Sequence, residues 1–488
     1  MFKVAFTAQV SPELQLWTED QCYMLHLASL EVLERTGVVV QDTEALKLLK
    51  DAGCTIKDNL VRFPASVIKW AVNSAPERCV LATTDGKRTV NLEQNSVNYG
   101  MGGGAPLFID SRNQCVRDSR LADVEDAAKV ANQMENIGIV GPLASALDTD
   151  AELADLYQFK ATRTYTTKPY ISSFRNADVM KAAIEMGIVS SGNLDNFKRN
   201  PNLLVYIESC SPLTLSQKTI EQLLLAAEYG VPVVYVSQIV PGSTGQADLF
   251  NSLAQANADC LAGLAIHQLK QNGAPFVMGI IAEPKDKKSQ NHVIGDPAVS
   301  LSQVCSGILG RYYKIPSFGV SGCTDACMLD VQAAMEATFS ITAAALGGIN
   351  LAGWNGCMGN RKIGSLENLI MANEIIGMTK HFMRGVEVSE ETIPIDLIDE
   401  VGPGGQFLTT DHTMKHFRTE TWYPRYMNRQ HYKNWLKEDG KDMRQKMNDK
   451  VLAILLGDNR GGVTEKELDE MDSIIQEQAG LLNKCKDQ

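Results

Sequence analysis

The sequence predicts an α/β protein built on a (β/α)8 TIM barrel, with an N-terminal helical cap and a C-terminal helical extension. Three observations carry that expectation. From about Ser96 onward short β-rich runs alternate with longer runs of helical periodicity, and strict alternation implies parallel strands joined by right-handed crossovers. Eight such strands occur, at a spacing of roughly thirty to forty residues, which is the size of one barrel unit. No strand is followed by a G-x-G-x-x-G or P-loop phosphate cradle, which sets the closed barrel above the doubly wound open sheet that the same elements could form.

Residues 1–95 read as the cap. The stretch 19–35 places Cys22, Leu25, Ala28 and Val32 at helical spacing and stops at Gly37; 41–52 is a second helix closed by Gly53. A third opens at Phe63-Pro64 and runs through Val72, and Asp85-Gly86 marks a hairpin turn ahead of 89–92. Residues 96–360 hold the barrel, with strands expected at 96–100, 137–143, 169–174, 203–209, 231–238, 275–281, 315–321 and 349–354. The intervening helices are expected at 121–134, 153–165, 178–189, 217–229, 247–271, 298–313 and 328–346, several of them ending at glycine. Residues 361–488 form the extension: a helix from Ser365 to about Met383, a glycine-rich loop at 401–408, short polar-aromatic segments at 411–418 and 429–437, and a terminal helix at 463–482 capped near Thr464. That extension reads as a lid or as the surface of a homo-oligomer.

Composition narrows the class of function. A formal charge of −12 without a basic stripe excludes nucleic acid as a partner, and it mildly favours a cationic small molecule. Eleven cysteines lie scattered without a C-x-x-C pair, which points to a reducing compartment. The first residues lack the apolar core of a signal peptide, and no apolar run approaches the ~20 residues that a membrane span needs. The expected location is the cytoplasm, with no membrane contact.

The stretch 315–336, IPSFGVSGCTDACMLDVQAAME, passes from strand to helix through Ser321, Gly322, Cys323, Thr324 and Asp325. Polar residues at the carboxyl end of a barrel strand are candidates for chemistry. Thr324 and Asp325 are therefore candidate catalytic residues, although spacing alone favours the plainer role of capping the helix whose apolar face would carry Met328, Val331, Ala334 and Met335. His412 and His416 stand one helical turn apart without the glutamate of an H-E-x-x-H site, so no metal is expected.

Several stretches taken in order resemble one family. They are Arg311-Tyr312-Tyr313-Lys314-Ile315-Pro316, Thr324-Asp325-Ala326 with Asp330, Gln332 and Glu336 behind it, Ser365-Leu366-Glu367, the run from Glu400 to Leu408, His412-Thr413 and Trp422-Tyr423-Pro424. Over about residues 20–455 the chain resembles the trimethylamine methyltransferase superfamily. The resemblance implies a barrel that passes a methyl group from a methylamine to the Co(I) form of a cognate corrinoid protein docked at its mouth. It implies no tightly bound cofactor and no metal of the chain's own. The founding member carries pyrrolysine, at a position that falls near Cys327 by rough register; this chain has ordinary residues throughout. A non-pyrrolysine member acting on a quaternary amine is implied, of the glycine betaine, proline betaine, carnitine or γ-butyrobetaine type. Such a substrate leaves as a neutral tertiary amine and needs no proton donor.

A methylated nitrogen donates no hydrogen bonds, so its recognition calls for aromatic faces at roughly 0.5–2 kcal/mol each and a carboxylate. Tyr99, Phe174, Tyr206 and Trp354 lie near strand ends. Glu208 shares parity with Tyr206 and would face inward, there to meet the substrate cation or to pair with Arg175. Trp354 suits a cage wall or a packed core. The substrate's own carboxylate would call on Arg175, Gln238, Asn355, Thr324 or a helix N-terminus. Gly102-Gly103-Gly104 would let a corrinoid approach the backbone, or form a plain loop. A barrel lyase or hydrolase with Glu208 or Asp325 as base, and a binding protein without catalysis, are the competing classes.

Overall fold

The computed structural model describes residues 12–386, 395–457 and 460–486. The expectations placed on 1–11, and the side chain of Cys485, lie outside the described residues. Eight strands form one sheet: β1 (Asn98–Met101), β2 (Ile137–Ile139), β3 (Tyr170–Ser172), β4 (Leu203–Glu208), β5 (Val233–Ile239), β6 (Phe276–Ala282), β7 (Ser317–Val320) and β8 (Leu351–Asn355). Neighbours in sequence pair in parallel, and β8 pairs back onto β1 with Leu351 opposite Asn98. Between β2 and β3 the contact narrows to a bridge: Val140 N–H donates to Pro169 C=O, and Ile171 N–H donates to Val140 C=O. The ring is closed. Every strand expected from the sequence is present, and the helices that follow them are α1 (Leu121–Gln133), α2 (Ala154–Tyr165), α3 (Ala177–Val189), α4 (Gln217–Tyr229), α5 (Leu249–Lys270), α6 (Pro297–Tyr313), α7 (Val331–Leu346) and α8 (Leu366–Met383).

The local reasons are legible in β4, Leu-Leu-Val-Tyr-Ile-Glu. Leu203, Val205 and Ile207 pack outward with the helices, whereas Leu204 and Tyr206 join the cluster that fills the barrel. A parallel strand buried on both faces is apolar throughout, and only its last residue, Glu208, emerges at the open end. Helices start where a short polar side chain accepts a first-turn N–H: Asn176, Ser216, Asp248, Asp296, Asp330 and Ser365.

Four features depart from the sequence-based expectations. Besides the expected hairpin, in which Arg78–Ala82 pairs with Thr89–Glu93, the residues before the barrel hold a small sheet: Val38–Val40 lies between Leu60–Arg62 and Thr214–Leu215, so the cap is stitched to the loop after β4. A second small sheet joins Leu107–Asp110 and Cys115–Asp118 to Cys357–Met358 and Ile363–Gly364, which ties the segment after β1 to the loop after β8. The helix Met443–Leu455 packs Met447, Val451 and Ile454 into the core. Finally, the apolar face assigned to α7 is inverted. Met328, Val331 and Met335 are 61%, 75% and 67% exposed, while the buried face is Ala333, Ala337, Ile341, Ala344 and Ala345. Small side chains let α7 lie close against α6 and α8, and that close packing outweighs the larger hydrophobes on the opposite face. The cap of α7 is Asp330, so neither Thr324 nor Asp325 fills that role.

One buried carboxyl couples the fold to pH. Asp259 of α5 accepts from Ser209 Oγ at 3.0 Å and Ser237 Oγ at 3.2 Å, and burial pushes its pKa up to about 7. The folded chain therefore holds a proton that the unfolded chain gives up near pH 4. The stability this contributes is complete at low pH and is lost as pH rises through about 7. In urea melts between pH 5 and 8, the wild type should lose on the order of 2–4 kcal/mol that Asp259→Asn retains. Parallel curves for the two proteins would show that the carboxyl does not titrate there.

Candidate active site at the barrel mouth

A cavity of about 630 Å³ opens at the carboxyl ends of the strands, the face on which barrels of this kind place their chemistry. One wall is aromatic. Tyr206 of β4, Phe318 of β7 and Trp354 of β8 meet there, with ring centroids 5.6 Å apart for Tyr206–Phe318, 5.6 Å for Tyr206–Trp354 and 6.0 Å for Phe318–Trp354. Space for the Phe318 ring comes from glycines on both neighbouring strands: a Cβ on Gly353 would sit 2.9 Å from Phe318 Cε2, and one on Gly279 would sit 3.3 Å from Cδ1. Glu208 stands at the cavity edge and accepts the Tyr206 hydroxyl at 2.7 Å. Burial, then the Glu208 charge, holds that phenol well above its ordinary pKa, so Tyr206 remains a neutral donor and ring.

Trp354 is held in place by its neighbours, among them Arg361, which lines the cavity beside it. Its φ is +67°, and Asn360 (+54°) and Arg361 (+64°) share that left-handed region. Backbones of this kind cost on the order of 1–3 kcal/mol per non-glycine residue, and they persist where surrounding contacts over-determine them. Here the contacts are explicit. The Arg361 guanidinium stacks on Trp354, 4.8 Å from the ring, and donates through one nitrogen to both oxygens of Glu283 at 3.1 and 2.8 Å. Glu283 is 0% exposed and also accepts from Gln238 Nε2. Burial raises the Glu283 pKa while Arg361 and His292 pull it back, and the Arg361 charge is sustained by Glu283 against its own burial. Neither Glu283 nor Arg361 stood out from the sequence, because one ends a strand of ordinary composition and the other lies in a turn. Only the small sheet at the mouth brings them together.

The candidates chosen from sequence divide into two groups. Phe174, Tyr206, Glu208 and Trp354 all line the cavity. The others are committed elsewhere. Tyr99 is buried and its hydroxyl donates to Ile341 C=O at 3.2 Å, so it faces the helical layer. Asn355 is buried and donates to Gly100 C=O at 2.9 Å and Ser321 Oγ at 3.2 Å, which ties β8 to β1 and β7. Gln238 holds Glu283. Thr324 Oγ1 donates to Glu336 at 2.6 Å, and Asp325 accepts the N–H groups of Ile294 and Gly295 at 3.0 and 2.9 Å, clamping two loops together. The considered Glu208–Arg175 pair does not form: Arg175 bonds Glu152 at 2.8 Å, and Glu208 bonds Tyr206. Among the described residues no group of three or more metal-ligating side chains occurs, and the His412 and His416 rings stack 4.4 Å apart.

A closed barrel whose mouth combines three aromatic rings with an adjacent carboxylate has the form of an enzyme suited to a cationic substrate. Comparison with known proteins agrees with that class and narrows it. A family model described as trimethylamine methyltransferase (MTTB) matches residues 3–479. The chain belongs to the trimethylamine methyltransferase family and is a methyltransferase. It is 29% identical over 432 residues to the glycine betaine methyltransferase of Desulfitobacterium hafniense strain Y51, covering 88% of this chain and 90% of that one. It is 26% identical over 463 residues to the trimethylamine methyltransferase MttB of Desulfitobacterium hafniense strain DSM 10664 / DCB-2, covering 94% and 93%. Among solved structures, the Methanosarcina barkeri monomethylamine methyltransferase (MtmB) aligns over 95% of this chain and 96% of its own, at 11% identity and a TM-score of 0.47.

The support behind Trp354 can be tested directly. Glu283→Gln leaves a buried guanidinium uncompensated and should destabilise the fold by about 3–5 kcal/mol in urea melts. Adding Arg361→Met to that variant should restore a large part of the loss, because no unpaired charge remains. Additive losses in the double variant would show that the two residues act independently.

Proposed function

We propose that the protein transfers a methyl group from a quaternary amine to the Co(I) form of a cognate corrinoid protein and releases the tertiary amine. The observation that carries this reading is the aromatic wall of Tyr206, Phe318 and Trp354 beside Glu208, since a permanently charged, donor-free ammonium is recognised by π-faces and a carboxylate rather than by hydrogen-bond acceptors alone. Similarity to a glycine betaine methyltransferase supports the same substrate class. The candidate substrates are glycine betaine, proline betaine, carnitine and γ-butyrobetaine.

The residues at the mouth bind and orient. Aromatic contact strips water from the ammonium, and Glu208 offsets its charge at the rim. The C–N bond then breaks with its electron pair remaining on nitrogen, so the amine departs neutral and no residue of the chain has to donate a proton. A corrinoid in its Co(I) state supplies the nucleophile and accepts the methyl group. The edge of the mouth suits a broad planar partner: Gly102, Gly103 and Gly104 line the cavity without side chains, and a Cβ on Gly103 would sit 2.6 Å from Cys357 Sγ. Such catalysis rests on alignment, and the hydrogen bonds of Thr324 and Asp325 contribute to it by holding the loops of the mouth.

Incubation with Co(I) cobalamin and each of the four amines, followed by the loss of the Co(I) absorbance, tests the proposal. Consumption is expected with at least one amine, and Trp354→Ala should lower kcat/KM for it by roughly 3- to 30-fold, the value of one aromatic face. Lack of consumption with all four would count against a quaternary amine substrate.

A further inference from the structure

The wall of the cavity opposite in character to the aromatic one is polar, and its composition has a direction. Ser216, Lys218 and Thr219 at the N-terminus of α4 line it together with Gln158 of α2. Ser216 caps the helix by accepting the Thr219 N–H at 3.2 Å, and the N–H groups of Gln217 and Lys218 belong to the first turn, which has no intrahelical acceptors. This end of the helix carries the positive pole of its dipole. The Lys218 ammonium has no hydrogen-bond or ion-pair partner among the described residues and acts on Asp155 only at longer range. Gln158 is 7% exposed and lines the cavity, and its carboxamide has no hydrogen-bond partner among the described residues, so its donors and acceptor are free to meet a ligand there. Two carboxylates lie near this wall: Asp155, which accepts the Arg175 N–H at 2.8 Å and whose pKa burial raises, and Glu208, whose backbone carbonyl accepts the Thr219 hydroxyl at 3.2 Å and whose carboxylate is turned to Tyr206.

We infer that this wall is an anion subsite that reads the carboxylate of a zwitterionic substrate, with Lys218 and Gln158 as its specificity-determining residues. The inference rests on the quaternary amine reading and deepens it: the ammonium lies against Tyr206 and Trp354, which Phe318 backs, and the carboxylate at the other end of the same molecule meets Lys218, the Gln158 amide and the first turn of α4. A quaternary amine without an anionic tail leaves the Gln158 amide and the Lys218 charge unanswered. The site therefore discriminates betaines from choline or tetramethylammonium, although all carry the same methylated nitrogen.

Calorimetric titration of the full chain with γ-butyrobetaine and with tetramethylammonium tests this. Lys218→Met should weaken γ-butyrobetaine by roughly 10- to 100-fold, as expected for a hydrogen bond between charged groups. The same variant should leave tetramethylammonium unchanged or bound more tightly, since a repelling cation has been removed. Lys218→Arg should restore most of the γ-butyrobetaine affinity, and Gln158→Leu should reproduce part of the loss. If tetramethylammonium binds and γ-butyrobetaine is indifferent to Lys218→Met and Gln158→Leu, the anion subsite is overturned while the aromatic reading stands. If neither compound binds the wild type, both readings fall together.

Discussion

A methylated ammonium offers a protein no N–H to grip, and in the proposed reading that constraint is what the mouth of this barrel answers. What remains available is the attraction of a diffuse positive charge to π-electrons and to a carboxylate, a weak interaction at each contact that gains from exclusion of water. Weak contacts add up only when the rings are already in position. Much of the structure around β8 serves that end: the left-handed backbone at Trp354, the stacked Arg361, and the buried Glu283 that neutralises it. The aromatic wall is consequently a property of three strands and one turn, not of any single residue.

The arrangement contains an apparent contradiction, a guanidinium on the very tryptophan that the proposal sets against a cation. It resolves in the charge balance. Arg361 lines the cavity but is bonded through one nitrogen to the buried Glu283, which offsets its charge, while the Glu208 carboxylate at the rim bonds only a neutral phenol. The guanidinium contributes rigidity to the ring and little repulsion to the ligand.

How much of this the chain disclosed in advance follows from how local each signal is. Strand and helix periodicities depend on neighbours in sequence, and all eight strands of the ring fell where alternation placed them. Tyr206, Glu208, Phe174 and Trp354 were found because each sits at the end of such a strand. Phe318 escaped notice because its place behind Tyr206 and Trp354 depends on Gly279 and Gly353 in the adjoining strands, and Arg361 and Glu283 escaped because their meeting depends on a small sheet assembled from four distant segments. Helix α7 was read with the wrong face inward for a related reason: hydrophobicity alone favours Val331 and Met335, whereas close helix packing selected the alanines. Hydrogen-bonding partners of Tyr99, Asn355, Thr324 and Asp325 lie across the fold, so no local pattern could separate structural roles from chemical ones.

The central claim is that positive charge, beyond mere shape, is what the aromatic wall recognises. Choline and 3,3-dimethylbutan-1-ol are nearly identical in volume and differ in a nitrogen bearing one unit of charge, so the ratio of their dissociation constants isolates that term. The account predicts that choline binds at least about tenfold more tightly, the equivalent of roughly 1.4 kcal/mol. Equal affinity for the two, or preference for the neutral alcohol, would contradict it.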